Sequence, residues 1–445
     1  MSDGYWCELA FVDGGVRPSV RVTVARGRFT SVEPAVEPKP TDHRLAGLTI
    51  PGLANAHSHA FHRALRSRVQ RGGGTFWTWR EVMYRAAERL DPDRYHALAR
   101  ATFAEMSLAG VTCVGEFHYL HHGPDGTPYS NPNAMGEALI SAAESVGIRL
   151  TLLDTVYLHG GLDDAGHRRP AGAQRRFSDG SAEAWLARVQ MLDPTATARH
   201  GAAVHSVRAV DPDAMVTVVE WASSSGAPLH AHVSEQAAEN EQCRAAHGVT
   251  PTELLHGAGA LVSNFTAVHA THLTDRDIEL LAESTVCLCP TTERDLGDGI
   301  GPTTELAAAG ARFALGSDSH AIIDLFEESR ALELDERLRL TRRGAHSTES
   351  LLAAATVNGH RSLGWDDAGS IAVGARADLV TVSLDSPRTA GAGVDAALEA
   401  MVFAASAGDV TDVVVDGRTV VTSGRHVQID VGRELGTSIG ELMGD

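Results

Sequence analysis

The chain has no long apolar run, few cysteines and no cluster of basic residues, and each absence excludes a class of protein. No stretch approaches the roughly 20 apolar residues of a membrane-spanning helix, so we expect no membrane protein. The five cysteines are scattered and form no disulfide framework. The net charge is −19, and no lysine or arginine cluster offers a footprint for nucleic acid or an anionic membrane surface.

The beginning of the chain also lacks a targeting pattern. Residues Met1 to Cys7 show no basic region followed by an apolar segment, so we expect no secretory signal peptide. Scattered thiols are typical of a reducing compartment, and we predict a cytoplasmic protein. Because two-fold dimers are the commonest oligomers, we expect a homodimer.

What the chain does contain is a pair of histidines directly after an apolar segment. The string Pro-Gly-Leu-Ala-Asn-Ala-His-Ser-His at residues 51–59 ends in His57 and His59. On an extended strand, residues i and i+2 point to the same face, so both imidazoles can reach one metal ion. Farther along, the apolar run Phe313–Gly316 leads into Asp318 in the same way.

More side chains of this kind follow other apolar segments, namely Glu116, His205, His232 and His269. A catalytic Zn²⁺ takes histidine nitrogens and carboxylate oxygens and keeps one position open for water. We therefore predict that His57, His59, His232 and Asp318 bind a metal. A single histidine at a strand end is more often structural, but five such histidines with an aspartate favour a metal site. Cys287 and Cys289 share the spacing, yet their segment is typical of a buried strand.

Strand and helix patterns alternate through the middle of the chain. The amphipathic helix predicted at Tyr95–Ala109 precedes a strand at Val111–Glu116, and a helix at Met135–Val146 precedes a strand at Arg149–Thr155. Later strands are predicted at Ala202–His205, Leu229–His232, Thr266–His269, Val286–Cys289 and Arg312–Gly316. About eight such units predict a (β/α)8 TIM-like barrel, with its active site at the C-terminal ends of the strands.

Both ends of the chain are typical of short strands separated by turns. We predict that they pair into a flanking β-sandwich domain built from residues 1–50 and 366–445, around a barrel domain at residues 51–365. The glycine-rich stretch Arg71–Thr75 is expected to be a flexible loop and is a candidate lid hinge.

Three residues are candidates for moving protons. Glu235, three residues after His232, could carry a proton to a leaving nitrogen, although it could also be a surface glutamate that starts a helix. His269 could stabilise charge or help deprotonate water, and Asp318 could bind metal and also accept the water's proton. No lysine lies at a predicted mid-barrel strand end, which argues for one metal, Zn²⁺, Fe²⁺ or Mn²⁺, rather than a pair bridged by a carbamylated lysine.

These strings resemble the amidohydrolase superfamily in its mononuclear deaminase branch, and the resemblance covers essentially the whole chain. It rests on residues 51–59, on His232 with Glu235, on His269, on residues 316–320 and on the tail at residues 369–380. More specific strings resemble the formimidoylglutamate deiminase family, and they lie at His57–Phe61, Phe76–Arg85, Glu116–His122, Gln174–Phe177, His205–Val210 and Leu296–Ile300.

The resemblance implies hydrolysis of the formimino C=N group of N-formimino-L-glutamate to N-formyl-L-glutamate and ammonia, in histidine degradation. It implies that Arg80, Tyr119, His205 and Arg208 bind the two carboxylates of this small dianionic amidine. Arginine suits this role because its planar fork pairs with a carboxylate in bidentate fashion. The alternative is that the arginines are surface cations, with Arg80 stacked on a neighbouring tryptophan.

The expected mechanism follows from the same residues. With Zn²⁺ bound to its four ligands, Asp318, assisted by His269, would take a proton from water, and Glu235 would protonate the departing nitrogen. The family usually has glutamine where this chain has His62, whose side chain is expected to contact substrate. Asp295 stands where asparagine is common, and its charge would be unhelpful if it faced an anionic ligand.

Three other functions compete with this one. A related deaminase could act on a heterocyclic amine, and it would need ring-stacking aromatics and few arginines. An amidase could use the same metal site. A catalytically dead barrel could serve as a scaffold, but such a protein should have lost metal ligands or Glu235, and this chain retains them.

Overall fold

The computed structural model of the chain describes residues 3–70 and 76–444, and these form eighteen strands and fifteen α-helices. The glycine-rich stretch at residues 71–75, our candidate lid hinge, lies outside the described residues. The strands are β1 (Asp3–Val12), β2 (Gly15–Ala25), β3 (Arg28–Glu33), β4 (His43–Pro51), β5 (Leu53–Ser58), β6 (Val111–His118), β7 (Arg149–Val156), β8 (Gly161–Asp163), β9 (Gly166–Arg168), β10 (Ala198–Val204), β11 (Leu229–Val233), β12 (Phe265–His269), β13 (Thr285–Leu288), β14 (Arg312–Leu315), β15 (Leu379–Val382), β16 (Val410–Val415), β17 (Arg418–Thr422) and β18 (Arg425–His426).

The helices alternate with the strands of the middle region. Across the described ranges, none of them is both long and apolar enough to cross a membrane. They are α1 (Phe76–Arg89), α2 (Pro92–Leu108), α3 (Ala134–Val146), α4 (Ala182–Val189), α5 (Pro212–Ser225), α6 (Ala237–His247), α7 (Pro251–Gly257), α8 (Asp275–Leu280), α9 (Pro290–Leu296), α10 (Thr303–Ala309), α11 (Leu325–Leu340), α12 (Thr348–Ala355), α13 (Val357–Ser362), α14 (Ala397–Ala404) and α15 (Val431–Met443).

Eight parallel strands form the barrel. They pair in the order β5, β6, β7, β10, β11, β12, β13 and β14. The two outer strands then meet, because Ser58 forms a parallel bridge with Asp318 and the Asp318 N–H donates to the His57 carbonyl at 3.0 Å. The predicted (β/α)8 barrel is thereby confirmed, and it closes at the C-terminal ends of its strands, where such barrels hold their sites.

Most barrel strands begin and end within two residues of their predicted bounds, because they are continuous apolar runs. Every residue of β6 and β7 is buried, as expected for strands covered on both faces. The exception is β10, which begins four residues before its predicted start. Its first half contains the polar residues Arg199 and His200, which a search for apolar runs leaves out. The Arg199 guanidinium lies 4.2 Å from the Trp365 ring, and this polar stretch is part of the strand. Cys287 and Cys289 are buried, as predicted.

The two chain ends pair into one flanking β domain, as predicted. Strand β4 from the N-terminal part runs antiparallel to β15 from the C-terminal part, and the eight strands form a continuous sheet in the order β18-β17-β16-β15-β4-β1-β2-β3. This sheet encloses its own apolar core, which includes Tyr5, Val22 and Phe29. The boundaries at residues 50 and 366 stay a prediction, and α14 and α15 pack against the barrel helices α11 and α2.

A buried ion network joins the barrel to the β domain. Arg149, at the start of β7, binds both carboxylate oxygens of Asp378, with 3.0 Å between Nη1 and Oδ1, and lies 3.2 Å from Asp416. Both Arg149 and Asp378 are buried. Arg376 also binds Asp416 at 3.1 Å, and its guanidinium lies 4.7 Å from the Trp365 ring. The Arg149–Asp378 pair therefore joins the N-terminal end of a barrel strand to the last strands of the chain.

We expect Asp378→Asn to destabilise the protein strongly. Removing one partner of a buried pair leaves the other charge uncompensated, which typically costs about 3–5 kcal/mol. Chemical denaturation should therefore begin at a lower denaturant concentration than in the wild type. The control is Asp366→Asn, whose carboxylate is 77% exposed and lies 3.7 Å from Arg361. Equal unfolding midpoints for the two variants would contradict the role of Asp378.

Candidate metal and substrate site

The predicted metal ligands come together at the C-terminal edge of the barrel. His57 lies in β5, His232 lies in β11, and Asp318 follows β14. The Nε2 atoms of His57 and His59 each lie 3.4 Å from Asp318 Oδ1, and His232 Nε2 lies 3.2 Å from His57 Nε2. All four side chains are buried. The structure therefore brings together every residue that we predict to bind metal.

Hydrogen bonds to carbonyl groups fix how two of these imidazoles face the centre. His59 Nδ1 lies 2.9 Å from the Phe117 carbonyl, and His232 Nδ1 lies 2.8 Å from the His205 carbonyl. A carbonyl only accepts, so both Nδ1 atoms carry the proton and both Nε2 atoms present lone pairs. Burial lowers the pKa of His57, His59 and His232, which keeps the rings neutral. Neutral nitrogen lone pairs that converge beside a carboxylate fit a divalent metal ion.

The backbone around the centre is strained. Ser234, His269 and Asp318 adopt left-handed conformations with φ of 52°, 69° and 42°. Such conformations are costly for residues other than glycine and cluster at functional sites. Gly316 is needed for a different reason, since a Cβ atom there would lie 2.7 Å from His57 Cβ and 2.9 Å from Cys289 Sγ. Only glycine lets β14 approach β5 so closely.

The three predicted proton carriers lie side by side. His269 Nε2 is 3.9 Å from Glu235 Oε1 and 3.8 Å from Asp318 Oδ2, and its Nδ1 is 3.2 Å from Glu293 Oε1. Burial would lower the pKa of His269, but the carboxylates of Glu235, Glu293 and Asp318 raise it well above its usual value. The sequence argument missed Glu293. Its position in α9, just after strand β13, is the signal that could have found it.

The surroundings shift the pKa values of the two carboxyl groups that face His269 in opposite directions. Burial raises the pKa of Glu235. Burial acts on Asp318 in the same direction, but hydrogen bonding and charge from His57 and the charge of His269 hold the pKa of Asp318 well below its usual range. Glu235 is therefore the more readily protonated group and Asp318 stays ionised, and two carboxyl groups whose pKa values differ in this way are typical of acid–base catalysis.

A cavity opens beside this centre. His59, His232, Glu235, His269 and Asp318 form one part of its wall. The five residues that we predict to bind substrate also line it, and they are His62, Arg80, Tyr119, His205 and Arg208. The structure thus joins the predicted metal and substrate residues in one pocket.

The two arginines reach the cavity from different elements. Arg80 lies on α1, where its Nε donates to the Tyr84 hydroxyl and its guanidinium lies 5.1 Å from the Tyr84 ring. Arg208 follows β10, and its Nε donates to Glu239 at 3.3 Å. Burial raises the pKa of Glu239. Glu239 was absent from our prediction, because its place in α6 gives no hint that it faces Arg208.

His62 and Asp295, where the chain departs from the family pattern, occupy different surroundings. His62 is buried, and its Nε2 lies 2.8 Å from the Tyr119 hydroxyl. Burial lowers the pKa of His62 to about 3, so the ring is neutral at physiological pH. Asp295 is exposed and accepts a hydrogen bond from Gln70 at 2.9 Å. Its charge is outside the cavity lining, so the concern it raised does not apply.

Glu116 braces the segment that carries His59. It lies inside β6, two residues before the strand ends, where we predicted the end itself. The Ser58 hydroxyl and the Ala60 N–H each donate to one of its carboxylate oxygens at 2.6 Å. These two donors flank His59, so Glu116 fixes the backbone that presents this imidazole.

Residues 48–420 match the amidohydrolase family. The chain belongs to this family. A formimidoylglutamate deiminase of Pseudomonas aeruginosa is 38% identical over 437 residues, which is 95% of each chain. The crystal structure of an amidohydrolase from Brucella melitensis is 35% identical, with a TM-score of 0.89 over 99% of this chain and 100% of that one.

A third relative extends the comparison to other deaminases. The 5-methylthioadenosine/S-adenosylhomocysteine deaminase of Natronomonas pharaonis is 29% identical over 392 residues, 86% of this chain and 84% of that protein. The resemblance that we drew from the sequence motifs is confirmed. The chain is a metal-dependent hydrolase of the amidohydrolase family.

We expect Glu116→Ala to weaken metal binding about 10- to 100-fold, the usual effect of removing a group that orients a ligand. The reason is that Ser58 and Ala60 would lose their shared acceptor. A chelator competition assay with zinc would measure the affinity, and Glu116→Gln, which keeps one carbonyl oxygen, should lose less. The control is Glu8→Ala, which removes a carboxylate that accepts the Gly47 N–H in the β domain. Wild-type zinc affinity in Glu116→Ala would rule out the brace.

Proposed function

We propose that the chain hydrolyses the formimino C=N group of N-formimino-L-glutamate, which gives N-formyl-L-glutamate and ammonia. One observation carries this proposal: a single cavity is lined by a buried set of metal-ligand side chains and by two arginines. The metal-ligand side chains provide for hydrolysis, and the two arginines provide for a substrate with two carboxylates. The name of the Pseudomonas aeruginosa relative supports the same reaction.

We propose one Zn²⁺ per chain, with Fe²⁺ or Mn²⁺ as alternatives, held by His57, His59, His232 and Asp318. Three imidazoles and one carboxylate are the donors that a catalytic zinc takes. When bound, the metal supplies Lewis acidity that lowers the pKa of a coordinated water. Lys39 is the only lysine of the chain and precedes β4, so the barrel offers no lysine to bridge two metals.

The proton transfers are assigned to three side chains. Asp318, which the neighbouring histidines keep ionised, accepts the proton that water loses, and His269, 3.8 Å away and itself protonated, stabilises the negative charge. Glu235, whose pKa is raised by burial, donates a proton to the nitrogen that departs as ammonia. His269 lies between the two carboxyl groups and stabilises charge on either side.

Recognition of the substrate is assigned to the other part of the cavity wall. Arg80 and Arg208 provide two cations for two carboxylates, and Tyr119 and His205 add hydrogen bonds. His62, hydrogen-bonded to Tyr119, completes this set in place of an amide. Neutral imidazole offers one donor and one acceptor, so it can still orient the tyrosine hydroxyl. That the chain is a homodimer stays a prediction.

A second candidate is deamination of a heterocyclic amine. The Natronomonas pharaonis relative and the aromatic rings of Tyr119, Tyr157 and Phe177 in the cavity wall favour it. A neutral ring, however, offers no anion to Arg80 and Arg208. N-formimino-L-glutamate, an open-chain dianion, therefore has partners for more side chains of the cavity wall than a neutral heterocyclic amine has.

The direct test is ammonia release by the purified, zinc-loaded protein. We expect rapid release from N-formimino-L-glutamate and slower release from N-formimino-L-aspartate, because one methylene fewer brings its two carboxylates closer together. Guanine and 5-methylthioadenosine test the second candidate. Turnover of either of these, with none of the formimino compound, would replace our proposal while leaving the metal site in place.

Glu235→Gln should lower kcat by at least about 100-fold, which is the usual contribution of a general acid. Because Glu235 is no metal ligand in this proposal, the variant should bind zinc as the wild type does, which elemental analysis would show. Glu241→Gln on the exposed face of α6 is the matched control. Near-wild-type turnover in Glu235→Gln would remove this residue from the mechanism.

A further inference from the structure

Two tyrosine hydroxyls face Arg80 in the cavity wall. Tyr84 lies one helical turn after Arg80 on α1, and Tyr157 directly follows β7. Both line the cavity, and Tyr157 is buried. The Phe177 ring packs edge-on against Tyr157, with 5.3 Å between centroids, and lies 6.1 Å from Tyr84. The two hydroxyl groups are therefore held at defined places beside a cation.

The oxygen atoms of both hydroxyls already accept hydrogen bonds. Arg80 donates from Nε to Tyr84 and from Nη2 to Tyr157, the latter at 3.4 Å. Gln174 Nε2 donates to Tyr157 at 2.8 Å. A guanidinium and an amide NH₂ have no lone pair to offer, so none of these partners can take a hydroxyl proton.

The orientation of the Gln174 amide is fixed by its other two contacts. Its Oε1 accepts the Ala171 N–H at 3.2 Å, and its Nε2 donates to the Gly160 carbonyl at 3.0 Å. A flipped amide would place a donor against a donor and an acceptor against an acceptor. Gln174 must therefore donate to Tyr157, and it is itself buried.

Counting the hydroxyl protons of Tyr84 and Tyr157 shows that one of them lacks an acceptor. A contact between the Tyr84 and Tyr157 hydroxyls can use only one of the two hydroxyl protons. Burial raises the pKa of Tyr84, so its hydroxyl keeps its proton. Within residues 3–70 and 76–444, no side chain or carbonyl accepts the second proton. One O–H group beside Arg80 is left to donate to an acceptor in the cavity.

We propose that the hydroxyls of Tyr84 and Tyr157, together with Arg80, bind one carboxylate of the substrate, and that Gln174 positions Tyr157 for this contact. The inference rests on the proposed function, since it assigns the surroundings of one of the two carboxylates. A phenol O–H and a guanidinium beside each other are strong partners for a carboxylate, because hydrogen bonds to a charged acceptor are the stronger ones. The motif Gln174–Phe177 thereby gains a role, since Gln174 orients the tyrosine hydroxyl and Phe177 packs against both rings.

The test uses the double variant Tyr84→Phe/Tyr157→Phe in the zinc-loaded protein. We expect KM for N-formimino-L-glutamate to rise about ten- to hundredfold with little change in kcat, because one or two hydrogen bonds to a carboxylate are lost. The control is Tyr5→Phe, which removes the hydroxyl that donates to the Gly417 carbonyl in the β domain.

Two substrate analogues identify the carboxylate. 4-Formiminoaminobutyrate lacks the α-carboxylate, and N-formimino-L-glutamine has an amide in place of the side-chain carboxylate. The effect of the double variant should vanish for the analogue that lacks the contacted carboxylate and persist for the other. An equal loss on all three compounds, or no loss on any, would overturn the proposal, because the tyrosines would then only pack.

A binding measurement separates this inference from the proposed function. Glutarate carries two carboxylates and no imine, so its affinity, measured by calorimetry, reports recognition without hydrolysis. If the wild type releases no ammonia from N-formimino-L-glutamate, the proposed function fails. Weaker glutarate binding in the double variant would still support the tyrosine site, whereas unchanged binding, or no binding to the wild type, would contradict it.

The role of Gln174 is tested through Tyr157. Gln174→Leu alone should raise KM for the dianionic substrate several-fold, since Tyr157 loses the donor that orients it. In the Tyr157→Phe background the same change should add nothing, because residues that act through one contact are not additive. An independent additional loss in that background would show that Gln174 supports the wall in another way.

Discussion

Neutral imidazoles and one carboxylate are held against each other in a buried place, and the way in which the barrel closes serves this requirement. The Nε2 atoms of His57 and His232 lie 3.2 Å apart, and carbonyl groups elsewhere in the barrel orient the rings of His59 and His232. Such lone pairs repel unless a cation lies between them. The strands must therefore be joined firmly, and the barrel closes at this point through the backbone of Asp318.

A layer of acidic and amide side chains supports this centre from outside. Glu116 braces the backbone around His59, Glu293 accepts from His269, and Glu239 pairs with Arg208. Gln174 orients Tyr157 on the opposite wall. Each of these contacts joins two segments that are separated along the chain. Each functional side chain of the site is thus held in place by a side chain from another part of the chain. Precise sites are generally supported in this way.

Charge is distributed along the cavity in two regions. Glu235, His269 and Asp318 form a mixed region in which burial and neighbouring charges move their pKa values apart. Arg80 and Arg208 bring positive charge to the other region, where Arg208 is paired with Glu239. A substrate with an imine at one end and carboxylates elsewhere can satisfy both regions at once. This division explains how an acidic protein, with a net charge of −19, can hold an anionic ligand by a few local residues.

The strands and helices of the barrel and the candidate metal-ligand side chains could be predicted from the sequence. Strands such as β6 are continuous apolar runs, and the spacing of His57 and His59 places both on one face of a strand, so local patterns were sufficient. The hydrogen-bond partners became visible only in the folded chain, in which Glu116 accepts from Ser58, Glu293 accepts from His269, and Gln174 donates to Tyr157. The physical reason is that these bonds join residues far apart in the chain, and a local pattern contains no information on which strand ends will meet when the barrel closes.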